Sequence, residues 1–362
     1  MISIAKPMIG QEEKEAVLKV LDSGAIASGN VVTEFENSFS NYLGAEYSIA
    51  ASSGTTALDV ALKAVNIQKG DKVLTTPFSF IATSNAILYS DAIPVFADID
   101  EKTFNIYPEA IEQILKENKN IKALLIVHLY GQSCDMDKIM EIVEKYKLIL
   151  IEDCAQAHGA EWKGKKVGTF GDVSAFSFYP TKNMTTSEGG MIVTNNKEVA
   201  EKARMIVNHG MKVRYHHDII GYNYRMTNIA AAIGLCQLNK LDSFNDARCA
   251  NAEFFNNNIS NSLIKKPYVL QNAKHVYHQY TICVNEGKRD IFAKYLADNQ
   301  VGYGIYYPLS LPEQKCYSGF DFNKGYSVTD RIKEEVVSLP IHPALTSEEK
   351  EIIVKVINNF KG

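Results

Sequence analysis

Between residues 47 and 194, short apolar runs alternate with amphipathic stretches, and that alternation confines the chain to an α/β fold with a largely parallel sheet. Residues 121–129 and 148–151 are almost unbroken aliphatic runs, as expected of strands whose two faces are both covered by helices. Further strands are expected at 47–51, 71–76, 93–99, 173–178 and 191–194, with helices at 57–64, 82–88, 108–115 and 136–146. Two more amphipathic helices precede the first strand, one through Ala16, Val17, Val20 and Leu21, the other through Phe35, Phe39 and Leu43 up to Gly44. In such sheets ligands lie beyond the carboxyl ends of the strands, where this chain places Ser53 to Thr56, Phe80, His128, Asp153 and Gln156.

A chain of 362 residues is long for one core, so two domains are expected, a large α/β domain over 1–244 and a smaller α+β domain over 245–362. In the second part, residues 277–284 alternate like a half-exposed strand, 302–308 are rich in turn formers, and 347–360 form a closing amphipathic helix. A helix from Asn228 is expected to continue, with a bend, past Asn245. Trp162 and the lysines at 163, 165 and 166 read as a surface hairpin, and 204–225 as a long irregular loop, a form that usually signals function.

Charge and composition narrow the function. A net charge of −4 without a basic patch argues against a nucleic-acid partner. No apolar run has membrane-spanning length and no signal-peptide pattern opens the chain, so a cytoplasmic protein with no membrane partner is expected. Six dispersed cysteines without a C-x-x-C pair suit reduced thiols. His209, His216 and His217 have no carboxylate or cysteine at ligand spacing, so no metal is expected.

Two segments carry chemistry. Ser52-Ser-Gly54-Thr55-Thr56 joins a strand to a helix start. There hydroxyls, a close-approaching glycine backbone and free helix N–H groups can cradle a phosphate, although serine and threonine at this place also serve as ordinary N-caps. The second runs from Gly171 to Gly190, where a short strand breaks at Pro180 and Lys182 follows at once. A lysine held at the mouth of a sheet can be desolvated and its pKa lowered, as an amine nucleophile requires. Asp153, at the end of a buried strand, needs a cation or several donors, and a protonated pyridine nitrogen is one such partner. The parts of a pyridoxal 5′-phosphate site are then present. Lys182 supplies the amine, Asp153 the pyridinium partner, Gly54, Thr55, Thr56 and Ser177 the phosphate contacts, Phe80 a flat face, and Gln156 a reach to the ring or its phenolic oxygen.

Six segments in order, Ser52–Ala57, Thr76–Thr83, Ile126–Gln132, Glu152–His158, Phe176–Lys182 with Glu188-Gly-Gly190, and Gly221–Met226, resemble the sugar aminotransferases of the DegT/DnrJ/EryC1/StrS family. The resemblance implies the fold type I, aspartate-aminotransferase-like architecture, and amino transfer from L-glutamate to a nucleotide-linked keto-sugar. It implies that Lys182 binds the cofactor, is displaced by the amino donor and then shuttles a proton. It also implies a homodimer whose active site lies at the subunit interface, with Asn223 and Arg225 reaching the partner's phosphate. Tyr306 and Tyr307 would come from the small domain, with His128 and Tyr179 as further substrate contacts. A 4-keto-6-deoxy sugar on UDP or dTDP is the favoured substrate, and a 3-keto sugar the alternative. A dehydratase, or a cofactor-binding regulator without turnover, is the remaining reading. Some relatives carry histidine in place of the lysine and do not transaminate; Lys182 argues against that branch, and no DNA-binding module supports the regulator.

Overall fold

A computed structural model describes residues 1–322 and 325–362. Two helices, α1 (Gln11–Ser23) and α2 (Asn30–Leu43), precede the sheet, each ending on a left-handed glycine, Gly24 or Gly44. Five strands then alternate with helices in the order β1 (Tyr47–Ala51), α3 (Gly54–Ala64), β2 (Lys72–Thr75), α4 (Ala82–Leu88), β3 (Ile93–Phe96), α5 (Pro108–Glu117), β4 (Ile121–Val127), α6 (Met136–Tyr146) and β5 (Ile149–Asp153). After a small hairpin, β6 (Glu161–Trp162) and β7 (Lys165–Lys166), come β8 (Val173–Ser177) and β9 (Gly190–Thr194). The main sheet has the order β1-β9-β8-β5-β4-β2-β3. Its strands run parallel from β3 to β8, while β9 lies antiparallel to both β8 and β1.

Strand periodicity explains both layers. In β4, Ala123, Leu125 and Val127 join the core beneath α3, whereas Leu124 and Ile126 join the core beneath α5 and α6. The same alternation in β5 sends Ile151 to the α3 side and Leu150 to the other. Asp153 therefore shares the α3 side of the sheet with Ile151, and Glu152 faces away with Leu150.

Helix α7 (Lys197–Val207) leads into the segment expected to be irregular. It holds a short antiparallel hairpin, β10 (Met211–Val213) with β11 (His216–His217). Helix α8 (Asn228–Asn258) is continuous through the expected division at 244/245, with Thr227 as N-cap and Phe255 buried in the small-domain core. The rest of the chain supplies β12 (Ile264–Lys265), β13 (Ala273–Lys274), β14 (Tyr280–Val284), α9 (Arg289–Asp298), α10 (Ser327–Ile332), β15 (Val336–Leu339) and α11 (Ser347–Asn359). Antiparallel strands β12, β14 and β15 form the small-domain sheet, whose core includes Phe292, Leu296, Ile353 and Phe360.

Two expectations about exposure are corrected. Strand β14 is buried at all five positions, because it is central between β12 and β15 and faces covering helices. Trp162 is only 4% exposed, since β13 pairs with β6 and covers it, while its indole N–H donates to Asp137 at 2.9 Å. Among the described residues no helix is long and apolar enough to cross a membrane.

Candidate active site

A cavity of about 570 Å³ opens at the carboxyl ends of the parallel strands, between α3, the segment after β8 and the 306–307 turn of the small domain. Lys182, Asp153, Gln156, Ser177, Phe80, Tyr179, Tyr306 and Tyr307 all line it, as do Gly54 and Thr55. The structure thus brings together residues from five separate segments expected at one site.

Lys182 is seated by the turn after β8, its N–H donating to the Tyr179 carbonyl at 2.9 Å. Burial drives its pKa down from 10.5 to about 8, with the Asp153 carboxylate partly opposing. Asp153 is 4% exposed; Thr83 Oγ1 donates to Oδ2 at 2.9 Å and the Ala155 N–H to Oδ1 at 3.1 Å. Burial raises its pKa, opposed first by the Ala155 N–H, then Thr83, and then the charges of Lys182 and His128. Two neutral donors do not compensate a buried carboxylate, and among the described residues it has no ion-paired cation.

The segment expected to cradle a phosphate is also the N-cap of α3. Ser53 caps α3, its Oγ accepting from the Thr56 N–H at 3.2 Å, while the Thr56 hydroxyl donates to the Ser53 carbonyl at 2.9 Å. Thr56 is therefore occupied within the cap and does not line the cavity, which leaves Ser53, Gly54 and Thr55 at its wall. Close approach requires glycine at 54, because a Cβ there would stand 2.5 Å from Ser177 Cβ and 2.9 Å from its Oγ. The opening turn of α3 thus lies directly on the serine that ends β8, so helix N–H groups and two hydroxyl-bearing residues converge.

Gln156 is fixed from both ends, accepting from the Tyr130 N–H at 2.7 Å and donating to the Tyr307 hydroxyl at 3.1 Å. Tyr307 stands edge-on to Phe78 and tilted against Phe80, with ring centroids 6.2 and 6.3 Å apart, and burial pushes its phenol upward. The Tyr130 hydroxyl donates to the Tyr306 carbonyl, tying the small-domain turn to the large domain. Phe80 and Tyr179 are 55% and 47% exposed, so they form the rim.

Besides Thr56, three expected residues lie elsewhere. His128 is fully buried and outside the cavity: its Nε2 meets Glu152 Oε2 at 3.0 Å, and its Nδ1 accepts from the Cys134 N–H at 3.1 Å. The reason is Glu152, which faces away from Asp153 and accepts three backbone N–H groups, from Gly168, Phe170 and Gly171, each at 2.8 Å. His128 donates the fourth bond to that carboxylate. With Cys154 these two residues bring potential ligand atoms within 4.8 Å of one another, in a place where both Glu152 oxygens are already engaged. Asn223 and Arg225 are exposed and do not line the cavity of their own chain. Arg225 donates to Asn208 Oδ1 at 2.9 Å and borders a separate concavity of about 350 Å³ with Arg204 and Glu36.

Sequence reasoning missed Thr83, Asn183, Arg248 and His278. Thr83 falls one helical turn after Phe80, a spacing that could have placed it beside the site. Asn183 directly follows Lys182 but has no local signal for its role, and Arg248 and His278 come from distant segments.

Pyridoxal phosphate suits this donor set. Asp153 is a buried carboxylate short of a cation, Lys182 an amine with a lowered pKa, and the Gly54–Ser177 contact leaves room for backbone donors but not for a side chain.

Comparison with known proteins agrees. The model of the DegT/DnrJ/EryC1/StrS aminotransferase family matches residues 7–358. GDP-perosamine synthase of Escherichia coli O157:H7 is 39% identical over 368 residues, covering 99% of this chain and 98% of that protein. The dTDP-3-amino-3,6-dideoxy-alpha-D-galactopyranose transaminase of Aneurinibacillus thermoaerophilus is 39% identical over 351 residues, covering 97% and 95%. Among solved structures, Helicobacter pylori PseC, described as an aminotransferase involved in the biosynthesis of pseudoaminic acid, superposes with a TM-score of 0.94 at 28% identity, covering 98% of each chain.

Proposed function

The chain belongs to the DegT/DnrJ/EryC1/StrS aminotransferase family, and on that premise we propose that it moves an amino group from L-glutamate to a 4-keto-6-deoxy sugar carried on UDP or dTDP. At the level of the family it is a pyridoxal-phosphate-dependent nucleotide-sugar aminotransferase. The observation that carries the reading is Lys182 and Asp153 opening on one cavity with the Gly54–Ser177 cradle.

Bound there, pyridoxal phosphate supplies an electron sink that makes the substrate C–H bond beside nitrogen acidic. The protein's part is to bind and to move protons. Asp153 Oδ would hold the proton of a pyridine nitrogen, and Thr83 and the Ala155 N–H keep that carboxylate oriented. Lys182 would bind the cofactor through Nζ. As a free amine, with the pKa that burial lowers, Lys182 Nζ would take and return the proton of the reacting carbon. Ser53, Gly54, Thr55 and Ser177 hold the phosphate. Phe80, Tyr179, Tyr306 and Tyr307 form the wall against which the sugar is oriented and from which water is displaced.

Asn223 and Arg225, exposed and away from their own cavity, support a homodimer in which each chain completes its partner's phosphate site. A cytoplasmic place of work accords with six free thiols. A 3-keto sugar is the second reading, favoured by the printed name of the Aneurinibacillus relative, which specifies a 3-amino sugar. The Escherichia relative's name carries GDP at the same 39% identity, so the base is left open.

Purified protein should absorb near roughly 410–430 nm, and borohydride should bleach that band while fixing the cofactor to Lys182. Absence of the band with added pyridoxal phosphate would remove the assignment. Glutamate with a panel of 3-keto and 4-keto sugars on UDP, dTDP and GDP, with NMR of the aminated carbon, decides the substrate.

A further inference from the structure

His278 lines the same cavity as Lys182, near enough for the charge of that amine to act on its ring. Its protonation pattern follows from a chain of amides anchored on backbone carbonyls. Asn245 Nδ2 donates to the His158 carbonyl at 2.9 Å, which leaves Asn245 Oδ1 as an acceptor. Asn183 Nδ2 donates to that oxygen at 2.7 Å and to the Val276 carbonyl at 3.0 Å. Asn183 Oδ1 must then be the atom facing His278 Nδ1, at 3.3 Å, and it can only accept. The ring is therefore protonated at Nδ1, and Nε2 carries a lone pair. Arg248 Nη1 fixes the backbone on either side, donating to the carbonyls of Tyr277 at 3.2 Å and His278 at 3.4 Å. Among the described residues Nε2 has no protein partner, and it is not among the sealed buried atoms, so it is open to the cavity.

We propose that His278 is a positioning residue for the reactive amine: its Nε2 lone pair accepts a hydrogen bond from the ε-ammonium of Lys182 whenever that group carries a proton. The proposal rests on Lys182 being the reactive amine. A neutral acceptor suits this task better than a carboxylate. It orients the ammonium and holds its proton without the strong attraction that would keep the amine protonated and idle. Burial, the charge of Lys182, the guanidinium of Arg248, and His158 and His275 all hold the His278 pKa well below its ordinary value, so the ring stays neutral. On the side of Lys182, the charge opposing its deprotonation is Asp153, with Glu188 and the phenols of Tyr179, Tyr306 and Tyr307 also lining the cavity.

The test titrates Lys182 directly in the full-length protein freed of cofactor. Acylation of its amine by methyl acetyl phosphate is followed against pH by mass spectrometry. The wild type should give a midpoint near pH 8. His278→Leu, which removes the acceptor, should lower that midpoint by about one unit, a tenfold fall in the protonated fraction on the alkaline side. His278→Gln, whose side-chain oxygen reaches a similar place, should restore most of it. An unchanged midpoint in His278→Leu would overturn the proposal while leaving Lys182 in its role. A wild-type midpoint near 10.5 would overturn the reading of Lys182 and the proposal with it. Independently of any variant, ¹⁵N NMR of His278 in the wild type should show Nδ1 protonated and Nε2 bare between pH 6 and 9, and a proton on Nε2 would refute it.

Discussion

Gly54→Ala puts the phosphate cradle to its strictest test, because a single methyl group meets the site at a known distance. The new Cβ would lie 2.5 Å from Ser177 Cβ, 2.9 Å from Ser177 Oγ and 3.1 Å from Ser177 Cα. The last of these is backbone, so a change of rotamer at Ser177 cannot relieve the contact. Either β8 or the first turn of α3 must move by several tenths of an ångström. Both are pinned: Ser177 pairs with Gly190 in the sheet, and Ser53 is closed in a capping box with Thr56. Overpacking of this kind costs about 1–3 kcal/mol. Alanine's better helix propensity returns at most about 1 kcal/mol, and less in a first turn than in a helix interior. The net loss in stability should thus be about 1–2 kcal/mol, read as a lower midpoint in urea.

The larger effect falls on the cofactor, since the movement separates the α3 N–H groups from Ser177, whose joint geometry makes the cradle. If 1–3 kcal/mol of strain is relieved at the expense of those bonds, affinity for pyridoxal phosphate drops by about 5- to 150-fold. Titration of cofactor-free variant and wild type by absorbance measures this. Wild-type affinity in a folded Gly54→Ala protein would refute the placement of phosphate at this helix start.

Glu152→Gln should destabilise the fold by about 2–4 kcal/mol, because the amide sets a donor against the backbone N–H groups and the His128 N–H that the carboxylate now satisfies; urea denaturation checks it. Lys182→Met should stabilise the cofactor-free protein at neutral pH, where the buried ammonium is charged in both folded and unfolded chains. As pH rises from about 8 toward 10.5 the folded wild type gives up its proton first and gains stability, so the gap between the two proteins should narrow by up to about 3 kcal/mol, as denaturation at pH 7 and pH 10 would reveal. Arg225→Glu should weaken cofactor binding about tenfold or more in the assembled protein while leaving the monomer's melting temperature nearly unchanged, because among the described residues its side chain hydrogen-bonds only to Asn208 at the surface. Equal affinity in that variant would place Arg225 outside the partner's site.

What the sequence settles by itself is local in origin. The alternation of apolar runs and amphipathic helices specifies the layered sheet, because a strand covered on both faces must read as aliphatic throughout, as β4 does. Ser53, Gly54 and Lys182 were legible for the same reason, each standing within a few residues of the strand end that positions it. Asp153 was legible because an acid ending a buried strand demands a partner.

The direction a strand-end residue faces is a different matter. His128 follows one parallel strand and Asp153 ends the next, yet only Asp153 meets the cavity. The loop at 168–171 presents three N–H groups that must be satisfied, Glu152 turns to meet them, and His128 is drawn after it. Trp162 is buried because a strand more than a hundred residues later closes over it. His278, Asn183 and Asn245 form one relay only because α8 passes unbroken behind the segment that carries Lys182. Pairwise contacts between distant segments obey no period in the sequence, and packing alone decided which side chains stand beside the lysine.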